Sequence, residues 1–171
     1  RMHGFHGNFL VILRALVYML LLGKEGLSNL GKYAVLNSRY LSKKIEKVIP
    51  LAYTEPCMHE FVATAKELKK KYKIKAYDIG KALLDEGYHS PTIYFPLIIE
   101  EALMFEPTET QSLDTLNDFA SSIEIIVNNV KDGSLDFENS PYSLPVTRPN
   151  ELIPAKHLSV KWGVFVELDN S

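Results

Sequence analysis

From Phe9 to Leu22 the sequence is apolar at every position except Arg14, and no other stretch so narrows what the chain can become. Asn8 before it fits an N-cap and Gly23 after it fits a stop, so the run reads as one helix. Crossing a bilayer takes about 20 apolar residues; this run is shorter and carries a guanidinium, which makes it a buried helix rather than a membrane span. It does not read as a signal peptide, since a basic leader and a small-residue cleavage site are both missing. A helix that is apolar all round has to be covered on most sides, and in a chain of 171 residues that demands a partner surface. Arg14 needs a partner of its own, expected as an ion pair across a domain boundary.

The length suits one domain with an appended segment. Eight Phe and nine Tyr point to a packed, aromatic-rich core and against disorder. The formal charge is −2 and the basic residues are dispersed except for Lys66, Lys69, Lys70, Lys71, Lys73 and Lys75, a solvated helix end rather than a nucleic-acid footprint. The single cysteine, Cys57, excludes an internal disulfide and fits a reducing, cytoplasmic setting; its default role is that of a small buried hydrophobe.

Along the chain, a second helix is expected over Leu27–Lys47, with Leu27, Leu30, Ala34, Leu41 and Ile45 at helical spacing and Pro50 closing it. Leu51–Tyr53 and His59–Ala63 read as two short strands or one broken strand. Helical signals return at Lys66–Lys71, a short strand is considered for Lys73–Ala76, and Tyr77–Glu86 reads as a helix stopped by Gly87. Thr92–Phe95 and Ala102–Phe105 read as strands interrupted at Pro96. The longest helix is placed over Thr110–Lys131 on the stripe Leu113, Leu116, Phe119, Ile123, Ile126, Val127 and Val130. Residues 139–154 hold Pro141, Pro145, Pro149 and Pro154, too many for regular structure, and read as an extended arm. Short connections favour a mostly antiparallel sheet with helices on one face, an α+β module.

Several residues are suited to chemistry. Thr108-Glu-Thr-Gln111 has capping-box spacing, and a helix N-terminus beside Thr108 is a place for a carboxylate or phosphate, with Glu109 opposing it. His59, Glu60 and His89 are candidates for a proton shuttle or, with Glu109, for a metal site; no ligand spacing supports the metal, and none is expected. On a regular strand His59 and Glu60 face opposite ways. Arg148 has the fork for a substrate carboxylate, but a salt bridge pinning the arm is the default reading. A freestanding anion-binding or protein-interaction module is the function these features alone allow.

The order of Gly7-Asn-Phe9, Ala34-Val-Leu-Asn37, Pro56-Cys-Met-His-Glu-Phe61, Asp78-Ile79, Gly87, His89, Pro91-Thr92, Phe95-Pro96 and Glu106-Pro-Thr-Glu-Thr110, continuing to Pro145-Val146 and Arg148 toward Trp162, resembles the C-terminal part of the glycine dehydrogenase P-protein family. The Pro-Cys-Met-His-Glu-Phe form is similar to subunit 2 of its two-subunit type. Leu10, Ser90, Gln111 and Tyr142 depart from the family pattern.

The resemblance implies the C-terminal small domain of a fold-type I pyridoxal-phosphate enzyme. Residues 1–48 would be helices from the junction of the large and small domains, and 49–171 the small domain with its arm. The implied activity is decarboxylation of glycine, with transfer of an aminomethyl group to lipoyl-H-protein, in a hetero-oligomer with subunit 1. The family's cofactor lysine follows a histidine, and no His-Lys pair occurs here. No catalytic residue is therefore assigned, and pyridoxal phosphate is not expected to bind this chain by itself. His59, Glu60, His89, Thr92, Thr108, Glu109 and Arg148 are the expected edge of the active site.

Overall fold

The computed structural model describes residues 4–134, 137, 139–150 and 152–156; Trp162 lies outside them. The apolar run opens a helical stretch, α1 (Phe9–Ile45), whose backbone leaves helical geometry at Gly23, with φ 62° and ψ −173°. Only glycine adopts that conformation cheaply, so the two expected helices exist and abut at Gly23 with no loop between them. Lys24 and Glu25 are good helix formers, which is why the second begins before Leu27. Asn8 sits at the cap position, but its side chain makes no capping bond.

The apolar half of α1 is bare, contrary to its reading as a buried helix. Phe9, Leu10 and Leu21 are 73%, 74% and 80% exposed, and the buried residues of α1 are Ser38, Leu41, Ser42 and Ile45, all near its C-terminal end. Arg14 is exposed and makes no ion pair among the described residues. No described helix is long and apolar enough to cross a membrane.

The strands β1 (Phe61–Thr64), β2 (Thr92–Ile93) and β3 (Ala102–Phe105) form an antiparallel sheet in the order β1-β3-β2. Phe61 lies opposite Phe105 and Thr92 opposite Met104. β2 is shorter than expected because Tyr94 turns to a φ of 59°. Leu51–Tyr53 supplies one bridge, Leu51 to Ala63; the Ala52 amide donates to the Val62 carbonyl (2.8 Å) and the Thr64 amide to that of Pro50 (2.9 Å). This segment covers the outer edge of β1, which would otherwise offer unpaired backbone groups. The strand starts at Phe61, so His59 and Glu60 precede it and the alternation that was to separate them does not apply.

Helix α2 (Lys66–Tyr72) carries much of the lysine cluster and ends on Lys73 at φ 65°. No strand forms over Lys73–Ala76, since Ala76 already opens α3 (Ala76–Asp85), where Asp78 Oδ2 accepts from the Lys75 amide at 2.8 Å. The lysines are not merely solvated: Lys69 Nζ lies 2.7 Å from Oε1 of Glu101. Glu101 is buried, and its other oxygen accepts from the Ala76 amide at 2.8 Å. That double satisfaction is what a buried carboxylate requires, and it fastens α2 and α3 to the start of β3. Gly87, with φ 81°, follows α3 as expected.

Helix α4 (Leu113–Asp132) starts later than Thr110 because its cap is Ser112, whose Oγ accepts from the Thr115 amide at 3.1 Å. Thr108–Gln111 is a turn, closed by the Gln111 amide on the Thr108 carbonyl at 3.3 Å, and not a capping box. Leu116, Ile123, Ile126, Val127 and Val130 are buried as the periodicity requires, while Leu113 is exposed. α4 packs against α1, α2 and α3, and Phe119 meets the sheet edge-on at Phe105, 5.9 Å between centroids, with Phe61 stacked on Phe105 at 5.0 Å. The proline-rich arm lacks regular structure up to Asn150, but a short helix, α5 (Leu152–Lys156), then contains Pro154. Proline is tolerated in a first turn, whose amides have no intrahelical acceptor.

Candidate functional site

Two open grooves meet where β3 runs out. The first, about 400 Å³, has an apolar floor that includes Leu41, Phe105, Leu116 and Phe119, with His89, Thr92, Glu106 and Gln111 among its polar lining. The second, about 990 Å³, runs along α1 from Leu30 to Arg39 and is closed by Met58, His59 and the turn Glu106–Glu109. Glu106 and Pro107 line both. The folding reason is direct: α1 and α4 pack together and the 106–111 turn must bridge β3 to α4 over them. Asn37 of α1 holds that turn by donating to the carbonyls of Thr108 (2.8 Å) and Gln111 (3.2 Å), and Tyr40 donates to Asn117 Oδ1 of α4 at 2.6 Å.

The expected site residues divide among these places. His89 and Thr92 are exposed on the first groove, and His59, Thr108 and Glu109 lie on the second. Thr108 does not cap a helix; its hydroxyl pairs with that of Thr110 at 2.7 Å, so the anion site proposed beside a capping Thr108 loses its basis. The Glu109 carboxylate accepts a short hydrogen bond from the Tyr18 hydroxyl, which fastens the apolar half of α1 to the turn and, by favouring the protonated phenol, raises the Tyr18 pKa.

Arg148 lies in neither groove. Its Nη1 is 2.8 Å from Asp78 Oδ1, its Nε donates to the Ser140 carbonyl at 2.8 Å, its Nη2 donates to the Phe137 carbonyl, and its guanidinium stacks on Tyr77 at 5.1 Å. All three nitrogens of the fork are used in pinning the arm, the salt bridge expected of Arg148 as its default role.

Glu60 is placed by Glu106, a residue the candidate set missed. Donor atoms of His59, Glu60 and Glu106 lie within 4.8 Å of one another, His59 Nε2 being 3.8 Å from Glu60 Oε2. His89 and Glu109 are not in this group, so the His59–Glu60–His89–Glu109 grouping weighed in the sequence does not assemble. The Glu60 carboxyl is raised above the usual glutamate range, first by its hydrogen bond with Glu106, then by partial burial, with His59 pulling the other way. The signal for Glu106 was present in the sequence: it follows the strand Ala102–Phe105 as Glu60 precedes the strand at Phe61, and antiparallel pairing puts such flanking residues opposite one another.

Residues 30–144, which include both grooves, match the family model described as glycine dehydrogenase, C-terminal domain. The chain belongs to that family. Among curated proteins it is similar to the probable glycine dehydrogenase (decarboxylating) subunit 2 of Thermosipho melanesiensis, 47% identical over 160 residues, covering 94% of this chain and 33% of the relative. The proteins of the same name from Kosmotoga olearia and Thermotoga maritima are 44% and 43% identical, each over 162 residues, 95% of this chain and 34% of theirs. The chain thus spans about a third of the length of the curated relatives it matches. The small α+β fold with its three-stranded antiparallel sheet is this C-terminal domain of the glycine dehydrogenase family.

Proposed function

We propose that this chain serves as the C-terminal domain of a glycine cleavage P-protein, subunit 2 type, within a longer cytoplasmic polypeptide that decarboxylates glycine and passes the aminomethyl group to lipoyl-H-protein. The observation that carries this is the 47% identity, over nearly the whole chain, to a probable glycine dehydrogenase (decarboxylating) subunit 2. Subunit 1 is the partner that the relatives' name implies, in a hetero-oligomer.

Pyridoxal phosphate, when bound in such an enzyme, supplies the electron sink for decarboxylation. The grooves here do not fit that group unaided. Among the described residues no Lys or Arg lines the first, and in the second Lys32 and Arg39 share an open surface with Glu106 and Glu109, a poor setting for a phosphate dianion. The domain's part is therefore a wall: His89 and Thr92 line the first groove, His59, Thr108 and Glu109 line the second, and Glu60 stands beside His59, with the floor supplied by other polypeptide. For the division into residues 1–48 as a junction and 49–171 as the small domain, the support is the exposed apolar half of α1, the surface in greatest need of cover; the C-terminal end of α1, through Leu41 and Ile45, shares the small domain's core.

The test is spectroscopic. A polypeptide of the relatives' length, mixed with its partner subunit, should show the absorbance of the cofactor imine and glycine-dependent release of carbon dioxide; the 171-residue chain alone should show neither. Stoichiometric trapping of pyridoxal phosphate by borohydride on a lysine of these 171 residues would overturn the proposal.

A further inference from the structure

Both halves of α1, on either side of the break at Gly23, hold the same turn. From the C-terminal half, Asn37 Nδ2 donates to the carbonyls of Thr108 (2.8 Å) and Gln111 (3.2 Å), which uses both hydrogens of the amide. From the apolar half, the Tyr18 hydroxyl donates to the Glu109 carboxylate. Among the described residues this is the only side-chain hydrogen bond that Phe9–Leu22 makes, and the buried residues of α1 begin at Ser38, so packing does not set the direction of the apolar half. Gly23 stands at φ 62° and ψ −173°, a backbone region essentially reserved for glycine. A Cβ there would meet no atom within 4 Å, so backbone conformation and not crowding holds the bend.

We infer that Asn37 and Tyr18 are positioning residues that couple the angle of α1 at Gly23 to the Glu106–Gln111 turn, so that the polypeptide covering the apolar half also sets the rim of the second groove. This deepens the reading of the grooves as an active-site wall and rests on it only for its catalytic meaning. The Thr108 carbonyl that Asn37 holds belongs to the peptide unit joining Thr108 to Glu109, the residue that Tyr18 holds. That unit is planar and stiff. A tilt of the apolar half that pulls on the Glu109 side chain therefore loads the Asn37 bond directly, and loss of the Asn37 bond lets the turn follow Tyr18. Thr108 and Glu109 both line the second groove, so the groove's rim moves with them.

The experiment measures a distance by double electron–electron resonance in the 171-residue chain, between nitroxides on Leu13→Cys in the apolar half and Glu124→Cys on α4, both exposed positions. The background carries Cys57→Ser to remove the native thiol, and Leu20→Glu with Leu21→Glu to keep copies apart. It should give one narrow distance. Tyr18→Phe and Glu109→Ala should each broaden it, Gly23→Ala should shift it, and Glu109→Gln, whose side-chain carbonyl still accepts from a hydroxyl, should keep it. Asn37→Ala decides the coupling: its hydrogen bonds go to the turn, yet the distance to the apolar half should broaden as in Tyr18→Phe. An Asn37 that merely steadies its own turn would leave that distance narrow, and this result would overturn the inference, as would an unchanged distance in Tyr18→Phe. The converse measurement does not depend on how Asn37→Ala folds: exchange of the Gln111 amide, which donates to the Thr108 carbonyl at 3.3 Å, should quicken in Tyr18→Phe, and unaltered exchange would also overturn it. In the full-length enzyme with its partner subunit, Asn37→Ala should lower kcat/KM for glycine, by up to about 100-fold for a displacement of about 1 Å. Unchanged kinetics beside a broadened distance would sink the placing of this turn at the active-site edge and leave the coupling standing, so the two readings fail separately.

Discussion

Arg148 Nη1 lies 2.8 Å from Asp78 Oδ1, joining the proline-rich arm to the first turn of α3 across 70 positions of sequence. Both side chains are largely shielded, 25% and 13% exposed, so this pair is not one of the surface pairs that contribute little. Arg148→Ala should cost about 2 kcal/mol in urea unfolding, the range for charge-assisted bonds, and should open residues 139–150 to protease. Arg148→Lys should rescue little, since a lysine cannot span Asp78 and two carbonyls at once.

Ser112 rather than Thr108 begins α4. Ser112→Ala should therefore cost about 1 kcal/mol, and Thr108→Ala no more than about 0.5 kcal/mol, as for an exposed substitution. Thermal or urea unfolding of the two variants side by side decides the matter; equal losses would place the cap wrongly.

Asp85 holds the other end of the arm. Burial pushes its carboxyl up, but the Ser143 amide, the Ser140 and Ser143 hydroxyls and the Tyr142 amide outweigh that and leave it lowered. A folded-state value below the unfolded one means stability that is present above the unfolded pKa, about 3.9, and lost as pH falls through the folded value. Stability measured from pH 6 downward should decline in that acid window, and Asp85→Asn should be less stable at neutral pH with a shallower decline.

The bare half of α1 should make the 171-residue chain self-associate. Leu13, Leu16, Val17, Leu20 and Leu21 are between 41% and 80% exposed, a contiguous apolar surface of the kind that seeks cover. Sedimentation velocity should show concentration-dependent association, relieved in a Leu20→Glu, Leu21→Glu variant. A wild-type chain that stays monomeric at high concentration would contradict this.

Local signals were legible where they were strong. Gly23, Gly87 and the stripe from Leu116 to Val130 mark their elements through backbone conformation and a 3.6-residue period, both properties of neighbouring residues. The family could be read too, because motif order is a property of sequence. The cap of α4 was misplaced by four residues because Thr108-Glu-Thr-Gln111 and Ser112-Leu-Asp-Thr115 both offer a hydroxyl at the right spacing, and the choice between them falls to Asn37, which holds the Thr108 and Gln111 carbonyls in a turn.

The sequence by itself determined the apolar leading helix, the α+β class, the break at glycine and the membership in the glycine dehydrogenase C-terminal domain family, since each rests on local periodicity, backbone freedom or motif order. Only the tertiary structure decided that Arg148 clamps the arm instead of facing a groove, that Glu109 holds Tyr18, and that Glu106 completes a pair with Glu60. Those contacts join residues 46 to 91 positions apart, and which distant groups meet is set by strand register and helix packing, terms in the folding free energy that no short window of sequence contains.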